Sequence, residues 1–201
     1  ATSTHTFAIP EAKRDQLCSN CHGQGTVSAE GIQANVRTLQ DALWSQMASY
    51  MMTRMNAAIA AGRTLAWRSG SGTTAAPYVY TAFTTIGSVS RPLSSGAVNL
   101  NSANVILKNS AGTVQGSSST ASFSATSVYI LNGAGTAYTL FFSMDATDLN
   151  AFAPPAVGNK LYKANQNYLL TYRDSSEGIH NPTFVNQVLS NTIAQMKDTT
   201  K

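Results

Sequence analysis

The chain has 201 residues, only 11% of them charged, and carries a formal net charge of +4. An average globular domain has about a quarter of its residues charged, so Ser, Thr, Ala, Gly and Asn fill the difference here. The basic residues are scattered, with no Lys/Arg run longer than Lys13-Arg14, which argues against a nucleic-acid interface. No apolar run approaches the ~20 residues that cross a bilayer.

The chain opens ATSTHTFAIP, without the basic and apolar regions of a signal peptide, and a start at Ala fits a processed or excised product. Residues 1 to 27 read as an irregular, ligand-bearing segment. Within it, Cys18-Ser19-Asn20-Cys21-His22 holds both cysteines of the chain and one of its three histidines. This is the C-x-x-C-H pattern of covalent haem attachment. Two thiols three residues apart add across the two vinyl groups of haem, and the short turn between them sets the next residue under the iron. Cys18 and Cys21 are therefore the attachment residues for a haem c, and His22 is its proximal ligand. A structural zinc site lacks a second ligand pair. A thioredoxin-type redox pair lacks its βαβ context. A disulfide between residues three apart is strained. The remaining histidines, His5 and His180, are candidates for the second axial position. Six methionines compete with them, but five lie on helical faces, where methionine usually belongs to the core.

A long helix is predicted next. Ser28 is placed to cap it. Ile32, Val36, Leu39, Leu43, Met47, Met51, Met55 and Ile59 recur at helical steps along one face, and Gly62 stands where a glycine stop belongs. Near Ser69 the texture changes, and from Tyr78 to Met144 the period becomes two. Val98 and Leu100, Val105 and Leu107, Val128 and Ile130, and the series Tyr138, Leu140, Phe142, Met144 alternate with their neighbours. SSG at 94 to 96, NSAG at 109 to 112 and NGAG at 132 to 135 supply turns. This predicts a small antiparallel β-sandwich or barrel. Lys108 is its only Lys or Arg between Pro92 and Leu149. After Ala153-Pro154-Pro155 the helical period returns with Leu161, Ala164, Tyr168 and Tyr172 on one face. A last helix starts at Asn181 as N-cap and Pro182 as first residue, and Val185, Val188, Leu189, Ile193 and Met196 continue it. The expected class is α+β, with a haem-binding segment and long helix at 1–68, an inserted Ser/Thr-rich β-sandwich at 69–153, and C-terminal helices at 154–201 packing on the first segment. Phe7, Leu17, Trp44 and Tyr172 are candidates to pack on the haem, and Lys13 or Arg14 to pair with a propionate.

The stretch from Asn159 to Met196, with Gly178-Ile179-His180-Asn181-Pro182 at its centre, resembles the C-terminal end of multihaem c-type cytochromes of the nitrite reductase and hydroxylamine oxidoreductase superfamily. The match covers roughly residues 1 to 65 and 157 to 198, including Cys18 to His22, and THTF at 4 to 7 resembles the distal-histidine segment of that group. The β-block lies outside it. The resemblance implies that His5 and His180 are distal ligands. One attachment motif with three axial histidines leaves one histidine over, for a haem on another chain or elsewhere in a longer multihaem protein. The lysine-containing catalytic motif of the nitrite reductases does not occur, so their activity is not carried over. The expected function is electron transfer as a relay in a multihaem protein, complex or extracellular filament, not an enzyme activity. Alternatives are a five-coordinate haem enzyme or sensor, and a chiefly structural surface or filament subunit. The expected partners are other haem-bearing chains, copies of the chain itself or redox proteins. Because haem is attached to this motif after export, the expected location is periplasmic, cell-surface or extracellular.

Overall fold

The computed structural model describes residues 13, 29–70, 72–76, 78–83, 85–90, 98–109, 114–132, 137–144, 156–174 and 176–198. His5, Cys18, Cys21, His22 and the Ser28 cap lie outside them. The long helix α1 spans Ala29–Ala60, about 48 Å at 1.5 Å per residue. From Val36 on, its predicted stripe is the observed one. Val36, Leu43, Met47, Met51 and Met55 are fully buried, and Leu39 and Ile59 pack against the same core. Burying each such side chain contributes roughly 1.5–3 kcal/mol before chain entropy is subtracted. The helix ends by chain geometry at Gly62, whose φ is 80°. The Gly62 N–H donates to the Ile59 carbonyl at 2.9 Å and Arg63 N–H to the Ala58 carbonyl at 3.0 Å, the paired bonds of a Schellman stop.

Seven strands follow among the described residues: β1 Leu65–Ser69, β2 Val79–Phe83, β3 Thr85–Ser90, β4 Val98–Asn109, β5 Val114–Ala125, β6 Ser127–Leu131 and β7 Tyr138–Ser143. All pairings are antiparallel. β2 and β3 share one edge of β4, and the register of β2 on β4 runs on unbroken into the start of β3. β5 takes the other edge of β4. β1 pairs with β2 and β6, and β6 with β7. Only Thr126 separates β5 from β6, yet these two strands pair at opposite ends of the strand order. One bent strand borders both sides only if the sheet curls. The expected α+β class is seen, and the strands form one curled sheet. A second, separately paired facing sheet is not present among the described residues.

The sheet has two buried faces. Leu65, Phe83, Ile86, Val128, Phe142 and Met144 join the helices in the main core. On the opposite face Ala66, Tyr80, Tyr129, Tyr138 and Leu140 form a second cluster. Tyr80 stacks on Tyr138 at 4.3 Å, and the Arg68 guanidinium lies 4.4 Å from the ring centres of both Tyr78 and Tyr129. Burial, with Tyr80 beside it, pushes the Tyr138 phenol above its ordinary pKa. In β7 the period-two series splits between the two cores. Val128 faces Phe142 and the next residue, Tyr129, faces Leu140, so Phe141 is a bulge. Tyr138 and Leu140 therefore join the tyrosine cluster, while Phe142 and Met144 join the helix side.

α2 spans Ala156–Tyr172 and α3 Pro182–Lys197. Leu161, Ala164 and Tyr168 are buried as expected. Tyr172 is not: it is 40% exposed at the helix end and stacks on Tyr168 at 5.6 Å. α3 buries Val185, Leu189, Thr192 and Met196. α1 packs against both helices and against β1 and β3. Asn56 of α1 acts as a strand partner for β3: its Oδ1 accepts from Ile86 N–H at 3.0 Å and its Nδ2 donates to the Ile86 carbonyl at 3.1 Å. No helix among the described residues is long and apolar enough to cross a membrane.

Candidate functional site

Of the five candidate ligands, the described residues include His180, which is exposed at the end of the turn joining α2 to α3. The turn is built by Asp174. Its carboxylate accepts from Ser176 N–H at 3.1 Å, from Ser176 Oγ at 2.8 Å and from Gly178 N–H at 3.3 Å. Its carbonyl accepts from Glu177 N–H at 2.9 Å. These bonds hold Glu177 and Gly178 at φ of 50° and 84°, two left-handed residues in succession. Burial alone would raise the Asp174 pKa. The bonds from Ser176 and Gly178, with the positive charge available to His180, outweigh it and hold the carboxyl below its ordinary range. After His180 the chain enters α3 at once. Asn181 Oδ1 accepts from Phe184 N–H at 3.1 Å, and Pro182 follows, as expected.

The turn is pinned to the first turns of α1. Gly178 is buried against Val36 and Val185. Arg37 Nη2 pairs with Glu177 Oε2 at 2.6 Å. On one flank Asn35 Nδ2 donates to Asn186 Oδ1 of α3 at 3.0 Å. On the other, buried Gln40 Nε2 donates to Thr171 Oγ1 of α2 at 3.4 Å. Residues 35 to 40 of α1 thus scaffold the whole histidine turn. α1 itself begins seven residues after His22.

An open groove of about 540 Å³ runs beside the turn, lined by Gln166, Asn167, Leu169, Leu170, Arg173 and Asp174. Asp174 belongs to both groove and turn. Exposed apolar side chains flank the same turn: Leu170 at 56%, Tyr172 at 40% and Phe184 at 48%. Arg173 adds a cation to this mainly apolar surface. Trp44, expected near a cofactor, is half-buried and lies tilted 6.2 Å from Tyr168. Met47, Met51, Met55, Met144 and Met196 are core residues.

The roles of Asp174, Val36 and Arg37 were not read from the sequence. Asp followed by two serines is a turn signal in which the carboxylate binds backbone two residues on, so Asp174 was accessible to that reading. The Val36 and Arg37 contacts join residues about 140 apart in sequence and have no local signature. No family model, curated protein or solved structure matches the chain.

Proposed function

We propose that the chain transfers electrons through one c-type haem, attached at Cys18 and Cys21 with His22 as proximal ligand, and that it acts as a relay beside other haems. The observation that carries this reading is the anchoring of the His180 turn on α1. Seven residues from the attachment motif to the start of α1 reach at most about 25 Å. Val36 stands roughly 10 Å further along the helix. That span is short enough for the motif to serve a haem beside the turn, which supports the reading. The donor set fits a haem: two thiols at thioether spacing, an adjacent imidazole, and a second imidazole on an exposed turn.

When bound between two imidazoles, the group supplies one-electron chemistry with no open coordination position. The residues of the chain orient it. The Asp174 bonds and the Asn181-Pro182 cap fix the backbone on both sides of His180, so little ordering remains for ligation. Leu170 and Phe184 offer apolar surface, and Arg173 a cation for a propionate. His5 or His180 completes the axial pair, and the other histidine is left for a haem on a neighbouring chain. Export before haem attachment accords with a periplasmic, cell-surface or extracellular site of action.

Intact mass under denaturing conditions tests the reading, together with the optical spectrum. Polypeptide plus one haem and a low-spin spectrum is expected. His180→Ala should then change the spectrum of the chain or of its assembly. A mass with no haem refutes the proposal. A high-spin spectrum that shifts on binding carbon monoxide refutes the relay role in favour of a ligand-binding haem.

A further inference from the structure

The fold treats its sheet edges unequally. β3 is covered by α1, where Asn56 bonds the Ile86 backbone in both directions. β7 is six residues long and packs against α2, with Asn165 Nδ2 donating to the Met144 carbonyl at 3.1 Å. β5 is twelve residues long and pairs with β4 and no other described strand. Its sequence, VQGSSSTASFSA, has no charge and no proline. One bulge, at Gln115, interrupts it near its start. Short length, edge lysines, prolines and covering elements are what keep sheet edges apart. From Gly116 to Ala125 β5 has none of the sequence-borne ones.

We infer that the β5 edge is a self-association surface, on which β5 of a second copy of this chain pairs antiparallel to form a continuous sheet across a two-fold axis. The β5 sequence is uncharged and rich in Ser, Thr and Ala, so it carries no charge pattern for a foreign peptide to recognise, and pairing rests on the backbone. Two identical neutral strands satisfy each other's N–H and C=O groups with no like-charge opposition. A two-fold axis makes this contact isologous and closed. The inference does not depend on the haem reading.

The test compares the full chain with two charge variants by sedimentation over a dilution series. The parent should run as a dimer that dissociates on dilution. Ser118→Lys with Ser122→Lys should run as a monomer, as should Ser118→Glu with Ser122→Glu. Mixing the two variants should restore the dimer, with at least a tenfold gain in apparent affinity over either alone. Circular dichroism identical to the parent shows that the variants fold. Hydrogen exchange on the parent serves as a second readout that needs no variant. The β5 amides that point away from β4 should be protected in the dimer and exchange on dilution. A monomeric parent, a dimer that survives both variants, a mixture that stays monomeric, or outward amides that exchange freely in the dimer would each overturn the inference.

Discussion

Replacing Gly178 with alanine should destabilise the chain by about 2 kcal/mol. Two effects add. Gly178 sits at φ 84°, where an L side chain costs roughly 1–2 kcal/mol. The new Cβ would also lie 3.0 Å from Val36 Cγ2 and 3.4 Å from Val185 Cβ. Both valines are buried in the main core, so neither has open space to retreat into, and such overpacking costs roughly 1–3 kcal/mol. The lower entropy of the unfolded alanine chain offsets about 0.4–1 kcal/mol. Gly62 is the internal control. Its φ is 80°, but an added Cβ there meets nothing within 4 Å. Gly62→Ala should therefore show only the backbone effect, about 1 kcal/mol. In a chain of this size, thermal unfolding should shift by about 4–8 °C for the first variant and about 2–4 °C for the second. Denaturant midpoints measured side by side provide the check. If Gly178→Ala is no more damaging than Gly62→Ala, the Val36 contact is not what fixes the turn, and the anchoring argument fails.

Asn56→Ala leaves both backbone groups of Ile86 without their side-chain partner and should cost about 1–2 kcal/mol, with faster hydrogen exchange at Ile86. Asn181→Ala should cost about 1 kcal/mol through loss of the cap of α3, and Asn181→Ser should recover most of it. Asp174 has a folded-state pKa below its unfolded value, so its contribution is present above the unfolded pKa and is lost as pH falls through the folded one. Stability of the parent should therefore decline below about pH 4, and Asp174→Asn should flatten that acid limb in a pH series of thermal scans. In the haem-free chain, His180→Ala should leave unfolding nearly unchanged, because its side chain is exposed; a loss above about 1 kcal/mol there would assign it a structural role beyond ligation.

The helices were legible in the sequence because their signals are local. Apolar residues three and four apart defined the α1 stripe, and glycine or an Asn-Pro pair marked a stop and a start. The sheet was legible only as a class. Its alternation was visible in Tyr138 to Met144, but the bulge at Phe141 reverses the face halfway along, and a bulge is set by how two strands pair. The curl has the same origin. Thr126 looks like any other residue until β5 and β6 are seen to border opposite sides. Tyr172 shares the face of Leu161, Ala164 and Tyr168 yet is 40% exposed, because periodicity does not show where a helix runs out of neighbours. At the site, the histidine and its cap were readable. The buried glycine and its Val36 neighbour were not, because they meet only when the last helices return to the first.

The bond between Asn35 and Asn186 bridges 151 positions of sequence. On a growing or translocating chain, α1 emerges before the other described strands and helices, and its row of leucine and methionine must wait for them before it is fully covered. Contacts of such long separation make folding slow and place the decisive step after α3 has been made. A chain stopped short of Pro182 would present part of that row to any chaperone or protease it met. Arrival of α3, rather than growth of α1, is then the event that commits this fold.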